Sequence, residues 1–236
     1  MKSLIIGAGE VGTSLQKVLN CDVRDKEPKG GKYDIIHICF PYTKDFVRQV
    51  KKYQKEYKPK YTVIHSTVPT GTSRKCNAYH SPVRGMHPHM EQAMKIFTTY
   101  LAPQSSLLKK YFENKGMHIE FCAETEDTEA GKLLDTAYYG WNIIFEKFVY
   151  DYCRRNNLDF DAVYNRFNDT YNKGYTELFK SNVVRPVLKQ IDGKIGGHCV
   201  IQNCYLLKNE KIPKIVLGLN AFFGRKKYES QKGKSA

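Results

Sequence analysis

Cys199 stands in the run Ile195-Gly196-Gly197-His198-Cys199-Val200-Ile201. Two glycines just upstream let the backbone turn tightly and present the thiol. An attacking sulfur needs that exposure, and a packing cysteine gains nothing from it. A neighbouring cation, His198 or a lysine, would make such a thiol nucleophilic. The other six cysteines, Cys21, Cys39, Cys76, Cys122, Cys153 and Cys204, are scattered and form no CxxC pair. They read as reduced packing thiols, with no zinc or disulfide framework.

A second constellation lies at the start of the chain. Gly7-x-Gly9-x-x-Gly12 follows an apolar stretch, Ser3 to Ile6, and opens a segment with helical apolar spacing at Val11, Leu15, Val18 and Leu19. An acidic residue, Asp25, follows 18 positions after Gly7, at the end of a second short strand. That context makes the glycine spacing a dinucleotide fingerprint. Gly7 permits the tight turn, Gly9 lets backbone approach a pyrophosphate, and Gly12 lets helix and strand pack closely. Glu10 and Val11 add first-turn N–H groups at the positive end of the helix. Asp25 would accept hydrogen bonds from the adenosine ribose hydroxyls and repel a 2′-phosphate, which favours NAD over NADP as cofactor.

Phe40-Pro41 and Ser66-Thr67-Val68-Pro69 each close a strand at its carboxyl end, the edge where open α/β sheets bind ligands. Pro41 and Thr67 are therefore placed against the cofactor. Arg84 could hold a substrate carboxylate or phosphate bidentately, with Gly197 and His198 as further substrate contacts. His87 and His89 flank Pro88, but no third ligand accompanies them, so no metal is expected.

The elements that must position these residues alternate. Short apolar strands at 3–6, 21–24, 34–40 and 61–65 are separated by helical patterns over 13–19 and 43–57. Further strands are expected at 78–86, 98–102 and 118–123, with a helix at 105–114. From about Thr128 to Asn156 the residues Leu134, Tyr138, Trp141, Phe145, Phe148 and Tyr152 recur every three or four positions. That is one apolar stripe on a helix about 40 Å long. Shorter helices are expected over 158–190, and a glycine-rich loop over 193–199. The fold class is α/β, a Rossmann-type doubly wound parallel sheet followed by a mostly helical domain built on one long helix. The division is 1–124 for the Rossmann domain, 125–224 for a helical dimerisation and catalytic domain, and 225–236 for a basic disordered tail. The long stripe predicts a homodimer.

Composition narrows the class. The chain has 236 residues, 41% hydrophobic and 13% aromatic, enough to build a core. Its longest apolar stretches, such as 215–224, fall well short of the roughly 20 residues a spanning helix needs. No leader pattern is visible, so a soluble, cytoplasmic protein without a membrane partner is expected. The net charge of +14 suits an anionic small-molecule ligand. The excess is mostly lysine, with nine arginines, and base edges are read chiefly by arginine, so a nucleic-acid partner is not expected.

The motifs taken together resemble those of the UDP-glucose/GDP-mannose dehydrogenases. The family's active-site loop reads Gly-Gly-His-Cys or Gly-Gly-Ser-Cys before an apolar pair, here Gly196 to Ile201. Its Glu-x-x-Lys helix start corresponds to Glu129-Ala130-Gly131-Lys132. The fingerprint and the Ser66-Thr67-Val68-Pro69 loop complete four motifs in the family's order, over about residues 1–207. The resemblance implies NAD-dependent oxidation of a sugar's primary alcohol to a carboxylate. Cys199 would attack the intermediate aldehyde to give a thiohemiacetal. Oxidation to a thioester and hydrolysis by water would follow, with Lys132 stabilising the oxyanion. The substrate would be a sugar nucleotide or sugar acid. Two positions depart from the family. Thr136 stands where it has Asn, and Asn203 stands where it has Asp and cannot act as a base. The family also carries a C-terminal nucleotide-sugar domain, whereas 29 residues follow Leu207 here; a smaller substrate or a second subunit is expected to make up the difference. Two alternatives stay open. One is a hydroxyacid dehydrogenase that uses Lys132 as acid/base and leaves Cys199 idle. The other is a non-catalytic NAD- or nucleotide-binding protein.

Overall fold

A computed structural model describes residues 1–85, 88–197 and 199–225. The chain divides into two compact units, Met1–Leu134 and a second beginning at Asp135. The division falls inside the long helix.

The first unit runs β1 (Ser3–Ile6), α1 (Glu10–Leu19), β2 (Asp22–Arg24), β3 (Ile35–Ile38), α2 (Phe46–Tyr57), β4 (Tyr61–Ile64), α3 (Thr72–Lys75), β5 (Tyr79–His80), α4 (Met90–Ile96), β6 (Thr98–Leu101), α5 (Ser106–Glu113) and β7 (His118–Phe121). β1 to β5 form one parallel sheet in the order β2-β1-β3-β4-β5. β6 and β7 pair in parallel beside it, and an antiparallel bridge from His80 to Ala102 joins the two ladders. β1 and β3 are buried at every position, as strands covered on both faces must be. Leu15, Leu19, Met94, Leu108 and Phe112 pack on one face, and Phe46, Val50, Tyr57 and Val68 on the other. This is the expected doubly wound α/β fold.

Several expected elements differ. The strand expected over 78–86 is only Tyr79–His80. Pro82 has no N–H for a ladder, and Gly85 takes φ +128°, so pairing stops there. A helix not foreseen, α4, follows at Met90, burying Met90, Ala93 and Met94. The helix expected from Thr43 starts at Phe46, after a turn in which the Phe46 N–H donates to the Thr43 carbonyl.

The long helix, α6, spans Thr125–Arg155, about 46 Å. In the second unit it is followed by one π-helical turn at Asp161–Arg166 running into α7 (Phe167–Glu177), a 3₁₀ turn at Ser181–Val183, an irregular stretch, α8 (Cys199–Leu206) and α9 (Lys211–Phe223). Ala137 and Ile144 of α6 pack with Val200, Cys204, Val216 and Phe223. Gly140 permits that approach, because a Cβ there would collide with the Val200 side chain. None of the described helices is long and apolar enough to cross a membrane.

Candidate dinucleotide site and cysteine loop

The glycine loop leaves the carboxyl end of β1 between its two neighbouring strands. The Gly7 N–H donates to the Arg24 carbonyl at 2.8 Å, and the Cys39 N–H to the Ile6 carbonyl at 2.9 Å. Gly7 has φ +105°, and a Cβ there would press on the Cys39–Phe40 backbone at 3.0 Å. A Cβ on Gly12 would run into the Gly7 carbonyl oxygen. Gly9 is the N-cap of α1 with no side-chain cap, and a Cβ on it would meet nothing within 4 Å. The start of α1 is therefore open beside Gly9, as anion-binding helix starts are. Asp25 is exposed, and its carboxylate accepts from the Ala8 N–H at 3.3 Å, which ties the acidic residue to the loop.

The neighbouring strand ends are joined as well. The Ser66 hydroxyl donates to the Phe40 carbonyl at 2.6 Å. That bond links the Phe40-Pro41 end with the Ser66–Pro69 loop, where Pro41 is exposed and Thr67 half-buried. Glu129, wholly buried near the start of α6, accepts from the Gly71 N–H at 2.5 Å and the Ser73 N–H at 2.7 Å. It thereby caps α3 and fixes the first turns of α6, which carry half-buried Lys132, to the turn after that loop. Arg74 pairs with Glu126 one turn earlier at 2.5 Å. Arg84 is exposed, its guanidinium 6.0 Å from the ring centres of Phe97 and Tyr100.

In the second unit Cys199 begins α8, is exposed, and follows Gly197 at φ +73°. The other six thiols are half-buried or buried, and burial raises each of them, Cys76 to about 11. Thr136 and Asn203 are both buried and meet directly, the Asn203 amide donating to the Thr136 hydroxyl at 3.2 Å. Met86, His87, His198 and 226–236 lie outside the described residues. The readings of His198 as substrate contact and cation source, of His87 beside His89, and of the basic tail fall there.

Two features escaped the sequence reading. His37 on β3, His65 just after β4 and His80 on β5 are each no more than 3% exposed. His37 Nδ1 lies 2.9 Å from His65 Nε2, His65 Nδ1 lies 2.7 Å from the Ser81 carbonyl, and His80 Nδ1 lies 2.7 Å from the Thr128 hydroxyl. Burial lowers all three, His65 to about 4 and His80 to about 3, so they are neutral near pH 7. In the second unit Glu146 and Lys147 are also buried. The only available signal was two adjacent charges inside an otherwise apolar helical run.

No protein-family model matches the chain, and no curated protein matches it in sequence. Solved structures do. A UDP-D-ManNAc dehydrogenase from Pyrococcus horikoshii superposes with a TM-score of 0.72 at 15% identity, covering 94% of this chain and 69% of its own. A UDP-glucose dehydrogenase from Pyrobaculum islandicum gives 0.72 at 14%, covering 94% and 68%. A 3-hydroxyisobutyrate dehydrogenase from Mycobacterium tuberculosis gives 0.69 at 13%, covering 94% of each chain. The chain therefore has the fold that these nucleotide-sugar and hydroxyacid dehydrogenases share.

Proposed function

We propose that the chain is an NAD-dependent dehydrogenase that oxidises an alcohol of a sugar or sugar nucleotide. The observation that carries the reading is the bare, unobstructed start of α1 behind Gly9, with Asp25 held to the same loop. These residues fit a dinucleotide: first-turn N–H groups for the pyrophosphate and a carboxylate for the ribose hydroxyls. When bound, the dinucleotide supplies the hydride acceptor. Pro41 and Thr67 flank its path along the strand ends. Lys132 steadies negative charge on the reacting oxygen, and Arg84, Gly197 and His198 hold the anionic substrate. Cys199, the exposed thiol, attacks the aldehyde that the first oxidation leaves.

NADH absorbance with a panel of UDP-sugars tests this. Turnover of at least one is expected, with Cys199→Ser stalling at the aldehyde. Iodoacetamide should alkylate Cys199 at least tenfold faster than Cys153 or Cys204, since those two are buried and their thiols raised. Equal rates on peptide mapping would remove the nucleophile assignment. NAD binding without turnover of any substrate would make the chain a non-catalytic binder.

The Thr136–Asn203 contact favours a second reading. Asn203 is no base, and its amide is engaged by a hydroxyl rather than held for water. A single two-electron oxidation of a hydroxyacid, with Lys132 as acid/base, then suffices. Under it Cys199→Ser is silent and the active substrate is a hydroxyacid.

We also propose a homodimer through α6. Tyr138, Phe145, Phe148 and Tyr152 are 45–61% exposed along the second-unit part of one helix. An apolar stripe along one helix is self-complementary across a two-fold axis, which suits a second copy of the chain. Light scattering at micromolar concentration should give twice 27.3 kDa. Phe145→Glu with Phe148→Glu should give the monomer. A wild-type monomer refutes the dimer.

A further inference from the structure

We propose that the cavity of the helical unit lined by Tyr139, Ile143 and Glu146 of α6, by Leu188 and Ile195, and by Val200 of α8 binds a small hydroxylated carboxylate, whose hydroxyl donates to Glu146 and whose carboxylate faces the lysines at the rim. The cavity holds about 320 Å³, the lower end of the range for small-molecule sites. It lies wholly within the second unit, and the proposal stands apart from the dehydrogenase reading.

Three observations carry it. Glu146 is 1% exposed, and its Oε1 has no hydrogen-bond partner among the described residues. A buried acceptor of that kind is costly unless something donates to it. The second observation is the construction of the wall. Lys147 Nζ donates to the Ile191 carbonyl. The Leu188 N–H donates to the Tyr164 hydroxyl at 3.3 Å, and the Ile195 N–H to the Asn220 side-chain oxygen at 2.7 Å. The segment is thus pinned at three points to α6, to the π-helical turn and to α9. Third is the charge around the site. Lys147, Lys189 and Lys194 line it, against Glu146 itself and Asp192 nearby. Three lysines among the lining residues disfavour an amine as the donor to Glu146, which leaves a neutral hydroxyl. The exposed rim lysines, Lys189 and Lys194, suit an anionic group on the same ligand. The apolar wall takes the short carbon chain between them.

Burial raises Glu146 to about 7, Lys147 beside it works the other way, and Asp192 adds to the rise. Lys147 is lowered by its own burial, with Glu146 and Asp192 opposing. Tyr164 feels Glu146 as well.

The test is calorimetric, on the full chain without dinucleotide, with three probes. 3-Hydroxybutyrate carries both groups, butyrate lacks the hydroxyl, and 1,3-butanediol lacks the carboxylate. The expected result is 3-hydroxybutyrate binding at least tenfold tighter than either. Glu146→Leu should bring 3-hydroxybutyrate down to the affinity of butyrate. If that variant fails to fold by circular dichroism, Lys189→Ala with Lys194→Ala gives the second reading: 3-hydroxybutyrate weakened fivefold or more, 1,3-butanediol unchanged. Butyrate binding as tightly as 3-hydroxybutyrate, or a folded Glu146→Leu that binds as wild type does, overturns the site. Because no dinucleotide is present, loss of this binding and loss of turnover are read separately.

Discussion

Between pH 6.5 and pH 5 the first unit is expected to lose at least about 3 kcal/mol of stability. His37, His65 and His80 are neutral and buried in the sheet. Burial holds His65 at about 4 and His80 at about 3, with His37 well below its ordinary value. A histidine in the unfolded chain titrates near 6.5. Above that pH neither state is protonated and the three cost nothing. As pH falls below it the unfolded chain binds protons that the folded sheet refuses, so stability declines until the folded values are reached. Between pH 6.5 and pH 5 His65 and His80 each contribute a little over one pH unit, or roughly 1.6 kcal/mol, and His37 adds in the same direction. That loss is a large part of the whole stability of many domains. The groups packed around the rings, Tyr111, Phe112, Thr128 and the Ser66 and Ser81 carbonyls, are uncharged. Glu129 works in the opposite sense, since burial raises it and acid then favours the folded form. The lowered carboxylates Asp22, Asp34 and Glu126 titrate further down and leave this window clear. Urea unfolding should be followed by hydrogen exchange on β1, β3 and β4. The single tryptophan, Trp141, belongs to the other unit and reports on it alone. Uptake of fewer than one proton on unfolding between pH 6.5 and 5 would sink the account.

That histidine set shows what a sequence conceals. His37 sits in an isoleucine run and His65 directly after Val63-Ile64, and each reads locally as a polar interruption of a buried strand. Parallel pairing puts His37 opposite Val63, so that His65, two residues on, shares its face. Register is a property of two strands together, and nothing within either strand announces it. The glycine loop was legible for the converse reason. Its turn, its N-cap and its close packing are made by residues within a few positions of one another, and Asp25 reaches back through one hydrogen bond. The long helix was legible from period alone, but not its buried charges. Glu146 and Lys147 lie off the stripe, and the segment 188–195, which folds back beside them, comes from more than forty residues away. The α4 helix was missed because its seven residues are too few to show a helical period. Thr136 and Asn203 stood out one at a time as departures from a family pattern; that they face each other is a fact of the fold.

Two valine substitutions in the glycine loop should separate folding from binding, with the second largest expected effects. Gly12→Val would drive a Cβ into the Gly7 carbonyl oxygen, and neither backbone can yield without opening the β1–α1 turn. A loss of at least about 3 kcal/mol is expected, at the upper end of overpacking costs. Gly9→Val meets no such obstacle. Its φ of −73° and extended ψ suit any residue, and a Cβ there has no neighbour within 4 Å. The cost is the loss of a favoured N-cap residue, about 1 kcal/mol. Its two methyls would nevertheless stand in the space before the first-turn N–H groups, where a pyrophosphate must come within hydrogen-bonding distance. Gly9→Val should therefore unfold within a few degrees of the wild-type temperature and bind NADH at least a hundredfold more weakly by calorimetry. The pair is diagnostic because the two sites lie within one turn of one helix. A general weakening of the loop would affect both variants alike, whereas a phosphate-binding helix start loses stability in one and ligand in the other. If Gly9→Val keeps wild-type NADH affinity, the dinucleotide does not bind at α1, and the dehydrogenase reading falls with it.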